Sequence, residues 1–267
     1  MIPNFTLINR EVSVYMIAAL TGYFVAGFYA CYAFRKRGRS EDDVISFYLL
    51  ISVGALIGGS LLYGITNFPL LVKLMKLLFT GSFHSFGEFV SACRIVFGGS
   101  VFYGGLLGGL LVGIVLIHRK KLDPTLYTDA LAPCIPLFHV FGRLGCFLSG
   151  CCFGIESKIG FVYHHSPIEI ANGVRRFPIQ LVEATFNLCL FLFLNYLFQK
   201  KKAEGNLLSI YLILYAVGRF VIEFFRGDFY RGFLFTLSTS QIISLLILAG
   251  VVLQKVFEKK KINIYQK

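Results

Sequence analysis

Apolar runs of about 20 residues recur along the whole chain, and each is long enough to cross a hydrocarbon core ~30 Å thick as a helix. They fall at roughly 12–34, 44–66, 97–117, 126–148, 178–198, 207–225 and 235–254. Lipid offers no partner to an unpaired backbone group, so runs of this length are expected to be helical. The pattern predicts an all-α integral membrane protein with about seven transmembrane helices, forming a single multi-pass domain over residues 1–267. Composition agrees: 56% of the residues are apolar and 15% are charged, against about 25% charged in an ordinary soluble domain. The opening segment, MIPNFTLINRE, has no basic cluster and no small-residue cleavage site, so the first run is expected to be retained rather than removed as a leader.

The net charge of +12 is unevenly placed. Basic residues crowd alternate loops: Arg35, Lys36, Arg37 and Arg39, then Arg119 to Lys121, then Lys200 to Lys202. Lys255, Lys259, Lys260, Lys261 and Lys267 follow in the tail. Short basic loops stay in the cytoplasm, which predicts an outside N-terminus and a cytoplasmic C-terminus. Charge split among such loops speaks against a nucleic-acid partner. Two outside connections, 67–96 and 149–177, are long. The first carries Phe68 to Phe79, too short to span and expected to lie in the interface. The second, with Gly160, Phe161, Val162 and Tyr163, reads as short extended structure. There is no inverted repeat of the kind that marks many secondary transporters. Gly54, Gly58, Gly59 and Gly64, and a second set from Gly98 to Gly113, suit close helix packing. The second set also holds Phe102 and Tyr103, where a place beside a ligand is equally open.

Charged residues inside spans are costly and usually functional. Arg219 and Glu223 are four apart in the sixth span and can pair on one helix face. Arg143 lies in the fourth span, and Gln180 and Glu183 open the fifth. With a rise of ~1.5 Å per residue, the expected topology puts these groups and Tyr103 in the outer half of the bilayer, roughly within 10–15 Å of its edge. One reading is a salt-bridge network that ties helices together. The other is a site for an anionic ligand: arginine's planar fork donates bidentate bonds to phosphate and stays charged when partly buried. Glu183 and Glu223 would then orient the arginines or handle a proton, and a phospholipid headgroup is the anion available at that depth.

Of the seven cysteines, Cys31 and Cys189 lie within spans and read as small packing residues. Cys146, Cys151 and Cys152 admit packing with redox sensitivity, a nucleophile, a disulfide, or metal ligation together with His139. Their spacing fits no zinc pattern, so no metal and no cofactor is expected. His164 and His165 fall in an outside connection and are expected to be solvated.

Four stretches, GGSVFYGGLLGG (98–109), GRLGCFLSGCCFG (142–154), RRFPIQLVEA (175–184) and GRFVIEFFRG (218–227), resemble the prolipoprotein diacylglyceryl transferase family in order and spacing. The resemblance implies a bacterial cytoplasmic-membrane enzyme that moves the diacylglyceryl group of phosphatidylglycerol to a lipobox cysteine. That step forms a thioether and releases glycerol phosphate. The partners implied are phosphatidylglycerol or a similar anionic phospholipid, the prolipoprotein signal peptide and the membrane. Arg143 and Arg219 match headgroup-holding arginines, Glu223 belongs to the same polar site, Gly154 matches a functionally important glycine, and Tyr15 aligns with a first-span tyrosine.

The chain departs from the family at Tyr103, where the family usually has His, and at Cys146 and Ser149, where it has Asn. It departs again at Cys151, where it has Glu. The family's His is a favoured thiol-activating group. Tyr, with an ordinary pKa of ~10 against ~6.5 for His, is a poorer base near neutrality unless a nearby arginine lowers it. Two further readings therefore stay open: a relative that uses the same donor with another acceptor, and a non-catalytic lipid-binding or transport protein.

Overall fold

The computed structural model describes residues 4–7, 10–99, 101–228, 233–234 and 236–265. Among them, six helical stretches are long and apolar enough to cross a membrane: Val14–Lys36, Glu41–Thr66, Pro124–Ser149, Ile179–Gln199, Leu207–Phe225 and Thr239–Val256. The remaining expected span is helical as well, over Phe102–Lys120. In chain order the helices are α1 (Val14–Lys36), α2 (Glu41–Thr66), α3 (Phe68–Phe79), α4 (Phe86–Phe97), α5 (Phe102–Lys120), α6 (Pro124–Leu131), α7 (Cys134–Ser149), α8 (Ile179–Gln199), α9 (Leu207–Ile222) and α10 (Thr239–Tyr265).

The expected fourth span departs from a continuous helix. It is broken between α6 and α7 at Pro133, which has no N–H to donate into the preceding turn and biases the residue before it away from helix. The Phe68–Phe79 stretch forms α3, started by Pro69, and the connection continues through a second short helix, α4. The 149–177 connection contains the expected extended piece, β3 (Glu156–Val162), paired antiparallel with β4 (Arg175–Arg176). A short hairpin, β1 (Asn4–Leu7) with β2 (Arg10–Ser13), precedes α1. Another, β5 (Phe233–Leu234) with β6 (Leu237–Ser238), precedes α10.

The chain divides into two compact units, Phe34–Pro124 and the remainder. In the first, α2 packs on α5 through facing glycines. A Cβ on Gly58 would stand 2.3 Å from the Gly104 carbonyl oxygen, and one on Gly108 would stand 2.2 Å from that of Gly54. Both glycine sets therefore serve helix contact, with backbones approaching as only small residues allow. Gly108→Val is expected to destabilise this unit by at least the ~1–3 kcal/mol typical of overpacking, because a backbone oxygen cannot rotate away. A thermal melt in detergent that matches the parent would contradict this.

The second unit gathers α1 and α6 to α10. Its surface carries many exposed apolar side chains, and polar side chains are buried among apolar ones inside it. Along α8, Gln180, Glu183 and Asn187 recur at helical spacing and are buried together with Leu190 and Leu194. Val182, Leu188, Leu192, Phe193 and Tyr196 on the same helix are exposed. Apolar surface on this scale is intolerable in water and ordinary in lipid. At the start of α9, the buried Asp129 accepts the N–H groups of Gly205 (2.5 Å) and Leu207 (3.1 Å), satisfying backbone donors that the helix cannot.

Candidate functional site

One carboxylate organises the polar interior of the second unit. Glu183, on the first turn and a half of α8, is 4% exposed. Its Oε2 pairs with Nε of Arg143 from α7, and its Oε1 pairs with an Nη of Arg219 from α9. The other Nη of Arg219 lies 2.6 Å from Glu223 Oε2, the expected four-residue pair, and donates to Ser240 Oγ of α10 at 3.1 Å. Four helices thus meet at one ionic cluster. Burial without such pairing would be prohibitive, since the desolvation of each charge amounts to several kcal/mol.

A third arginine joins them. Arg226 follows the 3₁₀ turn Glu223–Phe225 that ends α9. It forks onto Asp228 at 2.9 and 2.5 Å and approaches Glu183 Oε1 to 3.9 Å. Sequence reasoning passed over Arg226, although Arg219, Glu223 and Arg226 follow the spacing of one helix face. Three arginines and three carboxylates balance formally, but they are not equally engaged. Arg219 and Arg226 have their Nη groups bound to carboxylates. Arg143 meets Glu183 most closely through Nε, and its Nη groups make no hydrogen bond among the described residues. Its side chain is also the most open of the three, 22% exposed against 12% and 6%. A fixed guanidinium whose Nη donors are partly open is built to receive an anion.

Gly154 acts through the backbone. It bridges antiparallel to Arg226, while Ile155 N–H donates to Phe225 O at 3.0 Å and Gly227 N–H donates to Phe153 O at 2.9 Å. A Cβ on Gly154 would lie 2.4 Å from the Phe177 carbonyl oxygen. The glycine therefore locks the 149–177 connection to the segment that carries Arg226. That connection has its own small core of Phe153, Tyr163 and Ala171, and the buried Arg176 lies 4.4 Å from the centre of the Phe153 ring.

Gln180, fully buried, donates from Nε2 to Cys151 O at 2.7 Å and to Tyr163 Oη at 2.9 Å. The carbonyl of Cys151 can only accept, which fixes the amide's orientation. Gln180 Oε1 is left buried with no partner among the described residues. Tyr15 packs on the helix that carries Arg143: a Cβ on Gly145 would be 3.2 Å from the Tyr15 ring. The side chain of Tyr103 lies outside the described residues. His164 and His165 are exposed, and His139 is inside the bundle with its ring 5.5 Å from that of Tyr215.

Fold and site together define a multi-pass membrane protein with a buried arginine–carboxylate cluster in which, among the described residues, the Nη groups of one arginine make no hydrogen bond. The chain belongs to the prolipoprotein diacylglyceryl transferase family, whose pattern matches residues 4–256. It is 37% identical over 221 residues to phosphatidylglycerol–prolipoprotein diacylglyceryl transferase 2 of Clostridium perfringens (strain 13 / Type A), covering 82% of this chain and 80% of the relative. It is 33% identical to the phosphatidylglycerol–prolipoprotein diacylglyceryl transferase of Clostridium tetani (strain Massachusetts / E88), covering 81% and 82%. Against the enzyme of that name from Campylobacter curvus (strain 525.92) it is 30% identical over 261 residues, covering 96% and 93%.

Proposed function

We propose that this protein transfers the diacylglyceryl group of phosphatidylglycerol to the cysteine thiol of a prolipoprotein signal peptide, in the bacterial cytoplasmic membrane, with its N-terminus outside. The observation that carries this reading is the Nη pair of Arg143, which makes no hydrogen bond among the described residues. Two parallel donors match two oxygens of a phosphodiester, and a charged partner strengthens both bonds. In the reaction a C–S bond forms, the C–O bond to phosphate breaks, and the thiol gives up its proton. Negative charge then grows on the departing glycerol phosphate. A donor pair already fixed in place by Glu183 stabilises that charge without reorganising. Arg219, itself held by Glu223, keeps Glu183 aligned, and Gln180 Oε1 is the acceptor for a hydroxyl of the glycerol headgroup. Tyr15 borders the donor, and Gly154 holds Arg226 and the 149–177 connection in register.

The test is a transfer assay with labelled phosphatidylglycerol and a lipobox peptide, with products analysed by mass spectrometry. A thioether-linked diacylglyceryl peptide is expected. Release of glycerol phosphate with the peptide unmodified would point to a different acceptor, and no headgroup release would sink the reading. For Tyr103 the support is its place in the 98–109 stretch, where relatives usually carry His. Tyr103→Phe removes only the hydroxyl, and transfer is expected to fall roughly 10²–10³-fold, the range of a lost hydrogen-bond donor to a developing oxyanion on the lipid. Unchanged turnover would remove Tyr103 from the chemistry.

A further inference from the structure

Three cysteines, Cys146 and Cys151 at positions where the family has polar residues and Cys152 beside them, converge in space. Left-handed backbone at Gly150 (φ 75°) and Cys152 (φ 54°) turns the chain back after α7. Cys151 N–H donates to Cys146 O at 3.1 Å, closing the loop over the end of the helix. The sulfurs of Cys146, Cys151 and Cys152 all lie within 4.8 Å of one another. None is in a disulfide; Cys146 is buried, and the other two are half-buried. Zinc bonded to thiolates at ~2.3 Å in a tetrahedron needs sulfurs about 3.8 Å apart, so a small inward movement completes three corners. Thiolate sets favour zinc over harder cations. Three thiolates around a divalent cation carry one net negative charge, and the guanidiniums of Arg143 and Arg226 lie within electrostatic reach of Cys152 to offset it. The same loop is fastened to the ionic cluster, since Gln180 holds Cys151 O at 2.7 Å.

We propose that Cys146, Cys151 and Cys152 form a three-thiolate zinc site whose fourth position takes the acceptor thiol. This rests on the reading of the protein as a thiol-directed transferase. Coordination deprotonates a thiol outright, so the acceptor would meet the donor as a thiolate. The proton leaves to solvent when the acceptor binds. The zinc-bound sulfur then attacks the donor carbon, the C–O bond breaks, and glycerol phosphate departs with the bonding electron pair. The thioether, a weaker ligand, leaves the metal. Sequence spacing alone points to packing for these cysteines, because the site depends on a chain reversal after α7 that no spacing rule describes.

Cobalt replaces zinc and reports its ligands. Full-length protein, purified under reducing conditions and titrated with Co²⁺, is expected to show sulfur-to-cobalt charge transfer and the ligand-field bands of a tetrahedral site. Cys151→Ser is expected to weaken cobalt binding on the order of 100-fold or more, whereas Cys189→Ser, on the exposed face of α8, leaves it unchanged. A lipobox peptide should intensify and shift the bands, and its Cys→Ser counterpart should not. Absence of charge transfer in the reduced parent protein overturns the site, whatever the variants do. Bands that ignore the cysteine peptide overturn the acceptor role. A peptide-dependent shift without any lipid transfer supports the site and places the failure in the donor reading instead.

Discussion

Arg143→Ala is expected to lower transfer roughly 10²–10³-fold, the range seen when one preorganised oxyanion donor is removed, while leaving the protein folded. The two halves of this expectation come from different features. Arg143 is the arginine whose Nη groups make no hydrogen bond among the described residues, so its loss removes the proposed anion contact itself. It meets the ionic cluster most closely through Nε, and Glu183 keeps Arg219 as a partner when Arg143 is gone. No buried charge is orphaned. The melt should therefore shift little while turnover collapses. Arg143→Lys should recover little, because an ammonium group cannot reproduce both the bond to Glu183 and a two-donor fork. Normal turnover in Arg143→Ala would assign the arginine to the salt-bridge network and remove the main support for a phosphate clamp.

Glu183→Ala should fail differently. This carboxylate pairs with Arg143 and Arg219 and stands 3.9 Å from Arg226, at 4% exposure. Its removal leaves at least two guanidiniums buried and undercompensated, a change that typically destabilises by about 3–5 kcal/mol. Stability and transfer should be lost together, and Glu183→Gln should retain part of the first and little of the second. Combining Glu183→Gln with Arg143→Ala should be less than additive in transfer, since the residues act as one unit. Parent-like thermal stability for Glu183→Ala would show that water or lipid already screens the cluster. The contrast between these variants separates the group that binds from the group that positions.

The spans are legible in the chain itself. Runs of about 20 apolar residues admit one economical solution in lipid, so their placement follows from length and from the need to satisfy the backbone internally. The pair Arg219–Glu223 is equally accessible, because four residues along a helix place two side chains on one face. Even the extended piece at 160–163 carries a local signal in its glycine and β-prone residues.

Other features have no local trace. Nothing in the spacing of Arg143, Glu183 and Arg219 says that one carboxylate is shared, or that Arg143 meets it through Nε. Those facts depend on how α7, α8 and α9 are rotated and set against one another, to within an ångström or so. Gly154 can be singled out by resemblance, but its work as a backbone bridge to Arg226 requires two segments over seventy residues apart to be in contact. The thiol cluster is the same case at shorter range, arising from the left-handed turns at Gly150 and Cys152. Periodicity and charge are properties of single segments, and the sequence alone determined what they govern: spans and pairs within a helix. Which groups share a partner is set by packing between segments, and only the tertiary structure decided it.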